Sequence, residues 1–404
     1  IFTNYPLPHF GKIAIIIFLI SLMKYIFKDS MKIYKYDIGV LILYIYIRRY
    51  LLFILIILSC STSHKKDVAT ITINYDQTNT YLLSDFIANY NIIRLEISDS
   101  ILIGEISDIE FYNDDIILLD KKNNTILLFN QQGELIHQLA NSGRGAGEYI
   151  YLNDIAINSQ GIYLLDYSQQ KVLIYDHDLK FKKEFYFPFY VSEMKCINDQ
   201  MIIYAESNGK TEDYQFYLTD NCGETLNRYL PRNKILGNNT FISSNVFTQN
   251  NDLLVFAPRY SNTLYTLHDT TVIPIYFLDF KDKTFPEEHT SITKYNINDN
   301  KFPYIVRRNI FLCNNYLLID YIYQDERHFC LHDMNTGESR NGYITNDLIH
   351  DFRFFPQFVK SNKIIDWIDA ASLIEYFPHI VQTIPVLNNL KETDNPILFI
   401  YNSK

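Results

Sequence analysis

DIEFYNDDIILLDKKNNTILLFNQQGELIHQL fills residues 108–139, and DIAINSQGIYLLDYSQQKVLIYDHDLKFKKEF fills residues 154–185. At a constant offset of 46 residues, Asp108 falls on Asp154, Leu118-Leu119-Asp120 on Leu164-Leu165-Asp166, and Leu128-Phe129-Asn130 on Ile174-Tyr175-Asp176. A period of this length, built of short strands and tight turns, marks a propeller blade. The second copy reads as four strands, Asp154–Asn158, Gly161–Asp166, Lys171–Asp176 and Phe181–Phe187, separated by turn residues. Runs such as Val172-Leu173-Ile174-Tyr175 suit strands covered on both faces. One such unit cannot bury both faces alone, so several must stack.

Working outward, weaker copies follow. A third begins near Glu193, a fourth contains Asn251–Pro258 and Thr263–His268, and a fifth runs from Asn309 to Ile344. A sixth begins near Phe354 and ends with Pro396–Tyr401, interrupted by a partly helical insertion over Ala370–Leu390. The segment Thr70–Ile97 is expected to pair with the last blade and close the ring, which removes exposed sheet edges. The fold class expected is therefore all-β, a six-bladed β-propeller with four-stranded antiparallel blades, preceded by an N-terminal signal or anchor segment. The domains expected are residues 1–59 as upstream segment and signal peptide, 60–74 as a polar tether, and 75–404 as the propeller.

The chain has 404 residues, is 48% hydrophobic, and holds 33 Tyr and 28 Phe, enough for a large core and incompatible with global disorder. From Met31, Arg48-Arg49 precede an apolar run, Leu51 to Leu58, that ends in Ile57-Leu58-Ser59-Cys60. That run has the length of a signal-peptide core, and its end resembles a bacterial lipobox. By that resemblance Cys60 is the lipidated residue, the partner is a membrane, and the location is the cell envelope, at the outer membrane or periplasmic face. Residues 1–59 carry seven Lys or Arg against two Asp, so without them the formal charge of −10 becomes −15. So acidic a body excludes nucleic acid as a partner. A monomer is expected. Cys196, Cys222, Cys313 and Cys330 contain no CxxC pair, which speaks against a zinc ribbon, and leave three disulfide pairings or free thiols open.

Ser142-Gly143-Arg144-Gly145-Ala146-Gly147-Glu148-Tyr149, with Leu152-Asn153-Asp154-Ile155 and Gly161-Ile162-Tyr163-Leu164-Leu165-Asp166, resembles the NHL-like six-bladed β-propeller lipoproteins of Bacteroidota. The resemblance covers about residues 51–404, is specific in the first two copies and loose over 240–390, and implies a fold and a location without an activity. Many members of that family have Pro where Ala146 stands.

Gly143-Arg144-Gly145-Ala146-Gly147 lacks the following helix and the Gly-Lys-Ser/Thr ending of a phosphate loop, so it reads as a crossover between blades, with Arg144 as its one candidate contact residue. His328 and His332 fall on an expected strand, about 13 Å apart, too far for one metal. No G-x-S-x-G elbow is present. The site expected is the channel mouth, where the period projects Asp108, Asp154, Glu193, Asn245, Arg308 and Gln357. Such a ring suits a polar ligand or Ca2+; the plainer reading is a solvated ring capping the sheet ends. No catalytic residue and no obligatory cofactor is assigned. The function expected is a binding or scaffolding module for a glycan, peptide or protein. The alternative is a metal-dependent propeller hydrolase or lyase of the lactonase or amidating-lyase kind.

Overall fold

A computed structural model describes residues 68–97, 101–205, 213–232, 245–250, 253–259, 261–286 and 303–404. The segment read as a signal peptide, Cys60 and most of the stretch read as a tether lie outside these residues. Val68–Lys404 forms one compact unit, and Ala69–Thr72, inside the stretch read as tether, is a strand.

The six blades are present. Blade 1 comprises Ile106–Tyr112, Asp115–Asp120, Thr125–Phe129 and Leu135–Leu139; blade 2 comprises Leu152–Asn158, Gly161–Asp166, Lys171–Tyr175 and Phe181–Tyr186. Blade 3 comprises Val191–Ile197, Gln200–Ala205, Tyr214–Asp220 and Thr225–Pro231; blade 4 comprises Phe247–Gln249, Leu254–Phe256, Thr263–His268 and Thr271–Asp279. Blade 5 comprises Arg307–Cys313, Tyr316–Tyr323, Glu326–Asp333 and Ser339–Thr345. Blade 6 comprises Phe358–Lys360, Lys363–Ile368 and Ile397–Ser403, and its fourth, outermost strand is Ile87–Arg94 from the other end of the chain. That strand pairs antiparallel with the last one, from Ile397↔Arg94 to Ser403↔Ile87, and closes the ring as expected. The insertion into blade 6 is two short helices, α1 (Ala370–Tyr376) and α2 (Pro378–Thr383).

The segment before Ile87 does something the pattern did not foretell. Ala69–Thr72 adds in parallel to the outer edge of blade 4, and Thr80–Leu82 adds in parallel to the outer edge of blade 5. The chain therefore runs as a belt across two blade edges before entering the third. Its passage over blade 5 depends on Gly342, whose φ of 141° and missing Cβ let Asn79 approach; a Cβ there would sit 2.0 Å from the Asn79 carbonyl oxygen. That carbonyl accepts from the Tyr343 N–H at 2.8 Å.

The core consists of six clusters among the described residues, one at each blade-to-blade interface. Between blades 1 and 2, for example, Ile117, Leu119 and Leu128 meet Leu152, Ile155 and Leu173. Each fully buried Leu or Ile contributes about 1.5–3 kcal/mol, which is why the middle strands read as unbroken apolar runs. An aspartate in the second strand ties the incoming loop to its blade. Asp120 accepts from Gly104 N at 2.9 Å, Asp166 from Ile150 N at 2.7 Å, and Asp320 from Asn309 N at 2.6 Å.

The glycine loop is a crossover. It is followed by a strand, Gly145 N donates to Glu148 Oε2 at 2.7 Å, and the Tyr175 hydroxyl donates to Gly147 O at 2.6 Å. Cys196, Cys222, Cys313 and Cys330 are all free thiols. His328 and His332 lie buried in one strand, the first stacked on Tyr321 and the second 2.9 Å from Ser339 Oγ.

Candidate functional site

In the first five blades the inner strand runs into a tight hairpin, and five residues before the first turn residue stands one polar side chain. Asp108 precedes Asn113, Asp154 precedes Ser159, Glu193 precedes Asn198, Asn245 precedes Asn250, and Asn309 precedes Asn314. Gln357 completes the ring from blade 6, where it stands four rather than five residues before the first turn residue, Ser361. All six line one axial cavity of about 520 Å³.

Arg308 does not line that cavity; Asn309 stands in its place. The pairing of inner with second strand shifts register between Arg307 and Asn309, as it does between Ile106 and Asp108, Leu152 and Asp154, and Val191 and Glu193. The skipped residue is a β-bulge that redirects the strand. Arg308 thus corresponds to Ser107, Asn153 and Ser192, one step before the ring. Counting five back from Asn314 gives the right residue.

Several ring residues act as latches between blades. Asp154 Oδ2 accepts from Met194 N at 2.6 Å, Glu193 Oε2 from Val246 N at 2.9 Å, and Asn245 Oδ1 from Ile310 N at 2.9 Å. Each side chain reaches the backbone of the next blade, so the ring is partly the fold's own fastening.

Below the ring lies an ionic cluster that the sequence pattern did not single out. Lys360 Nζ, from blade 6, sits 2.8 Å from Asp108 Oδ1 and 2.6 Å from Glu110 Oε1, both in blade 1. Lys195 Nζ, from blade 3, sits 2.6 Å from the same Glu110 oxygen. Lys195 crosses blade 2 to get there, where the equivalent position is Ala156, whose methyl leaves the space open. Glu110 and Lys195 each stand two residues beyond a ring residue, on the same strand face; that was the available signal.

The two aspartates at the ring divide one proton unevenly. Burial, and then the Asp108 charge, pushes the Asp154 carboxyl well above the usual range. Burial opposes ionisation at Asp108 as well, but the Lys360 and Lys195 charges and a hydrogen bond from Asp154 hold it below its ordinary value. For Lys195, burial is outweighed by Glu110, Asp108 and Asp154, which keep it protonated far beyond neutrality. Glu193 pairs with Arg259 at 2.8 Å. The cations these carboxylates hold are therefore side chains of the protein. Among the described residues, no group of three or more His, Cys, Asp or Glu is placed to hold a metal ion. Arg144 is exposed on the glycine loop, away from the cavity.

A family model described as "Domain of unknown function (DUF4934)" matches residues 67–402. No curated relative matches the sequence. Among solved structures, the chain is similar to a Bacteroides fragilis protein described as exported, at 18% identity over 83% of this chain and 99% of that one, with a TM-score of 0.66. It is less similar to a member of the DUF4221 family from Bacteroides vulgatus, at 11% identity over 79% and 97% of the two chains and a TM-score of 0.47. Virginiamycin B lyase from Staphylococcus aureus aligns at 14% identity over 65% and 76%, with a TM-score of 0.40. At such identities the likeness to the first is one of fold.

Proposed function

This chain belongs to the DUF4934 family, and we propose that its propeller is a binding module of the cell envelope, receiving a polar ligand at the mouth of the axial cavity. The observation that carries this reading is the internal pairing of the cavity wall. Asp108, Glu110 and Glu193 face Lys360, Lys195 and Arg259 at 2.6–2.8 Å, and Asp154 is bonded to Met194 N. Nucleophilic or acid–base catalysis needs a group whose charge or proton is available to the substrate, and these are committed to one another. What the cavity offers instead is shape and polar lining, the requirements of recognition.

Membrane attachment through a lipid on Cys60 belongs to the same proposal and rests on the run Leu51–Leu58 followed by Ile57-Leu58-Ser59-Cys60. Metabolic labelling with a fatty-acid analogue is expected to mark the wild-type chain and to leave a Cys60→Ser variant unmarked and released from membranes. The binding role is tested by titration calorimetry with panels of oligosaccharides and peptides, alongside assays for lactone hydrolysis and eliminative cleavage. Saturable binding without turnover supports the module. Turnover by the wild type that is lost in Glu110→Gln would replace it with an enzyme.

A further inference from the structure

We infer that the rim between blades 5 and 6, outside the cavity lining and bordering it at Gln357, is a site for an acidic saccharide, its oxyanion gripped by Arg308 and Arg353 and its hydroxyls by acceptors on the cavity wall. This deepens the binding reading above and rests on it. The first observation is a guanidinium layer. Arg327 lies 4.0 Å from the centre of the Phe355 ring and Arg353 lies 4.7 Å from it, while Phe355 itself is 39% exposed. Arg327 donates to Pro356 O at 2.8 Å, one residue before Gln357 of the ring, so the layer stands on the cavity rim.

The second observation is a charge imbalance. Arg327 is bound to Asp320, its Nε donating at 2.7 Å. Arg353 donates to Trp367 O at 3.3 Å, its ion pair with Asp366 is a 3.5 Å approach, and its side chain is 32% exposed. Burial pushes the Asp366 carboxyl up to about 7, so part of that countercharge is absent at neutral pH. Arg308, partly exposed on its β-bulge, makes no hydrogen bond or ion pair with any described residue. Arg308 stands near enough to Arg327 for the two charges to repel, and Asp320 is the carboxylate paired with Arg327. Residues 68–404 otherwise carry a formal charge of −16, because nine Lys or Arg and three Asp of the chain's −10 lie before them. A positive rim on so acidic a body is a local exception that focuses anions. Guanidinium forks match carboxylate, sulfate and phosphate oxygens in pairs.

The third observation selects the rest of the ligand. Gln357 has spent both amide hydrogens, on Asp366 and on Trp367 O, and Asn153 one of its two, on Ser192 O. Ser107 has spent its hydroxyl hydrogen on Leu119 O. Gln357 and Ser107 are left at the mouth as acceptors, and Asn153 can accept as well as donate once more. A ligand that brings many O–H donors together with one oxyanion is a sugar acid.

The test is calorimetry on the intact chain with trigalacturonate, its methyl ester, and hexaglutamate. Trigalacturonate is expected to bind, and to weaken about tenfold or more in Arg308→Gln and in Arg353→Gln and on raising salt from about 0.05 to 0.5 M. Arg308→Gln touches no partner, so its melting temperature serves as the control for folding. Equal binding of the methyl ester, or binding untouched by both substitutions, overturns the anion site and leaves the binding module standing. Binding of hexaglutamate alone overturns the saccharide. Absence of binding by all three at about 10 mM, some 3 kcal/mol, overturns the inference at this mouth.

Discussion

Asp366 shows how one side chain makes stability depend on pH. It is fully buried, its Oδ2 has no hydrogen-bond partner, and burial lifts it to about 7 despite Arg353 and Gln357. Unfolded, the same carboxyl titrates near about 4. The folded chain therefore binds this proton more tightly, and the stability it confers, full below about pH 4, is lost as pH rises through about 7. Asp366→Asn is expected to gain stability relative to wild type when urea unfolding is moved from pH 5 to pH 8; no change in the difference between the two would contradict the assignment. Glu110 is the opposite case. Its oxygen is shared by two largely buried ammonium groups, and removing its charge leaves Lys195 without its ion pair and Lys360 with Asp108 alone. Glu110→Gln is expected to lower the unfolding free energy by about 3–5 kcal/mol, the range for breaking a buried pair.

At the scale of elements, legibility followed locality. The strands of blades 1 and 2 were readable because each is long enough to show an apolar run between turn residues. Blade 4 was faint because its inner pair, Phe247–Gln249 and Leu254–Phe256, has three residues each. The belt strands ATIT and TYL have no period of their own and are strands only because a blade edge lies beside them. The ring residues came from the period, and Arg308 was misplaced by a bulge that a period cannot see. The ionic cluster stayed hidden because its members come from blades 6, 1 and 3, and no spacing in the chain relates them. The belt yields its own prediction. Gly342→Ala drives a methyl into Asn79 O, so amide exchange over Thr80–Leu82 should quicken markedly while that of blades 1 and 2 stays unchanged. Ile71, buried between blades 4 and 5, should lose about 2–4 kcal/mol on replacement by Ala, read by denaturant unfolding.

The propeller is a ring closed by the pairing of Ile87–Arg94 with Ile397–Ser403, so its cooperativity depends on Ile87–Arg94 as much as on any interior blade. A chain beginning after Arg94 would leave Ile397–Ser403 without its outer partner. By scanning calorimetry it is expected to unfold over a broader range and at lower temperature than the chain that keeps those residues. Across the hub, Lys195 spans from blade 3 to blade 1 over Ala156. Filling that gap with Ala156→Leu should destabilise by about 1–3 kcal/mol, the usual cost of overpacking. That span also bears on how such a protein can change over generations. Duplicating one copy would widen the hub and draw the ammonium away from its oxygen, so a seventh unit could be accepted only together with a second change at Glu110 or Lys195. The tie across the centre works as a molecular gauge that holds the number of copies at six.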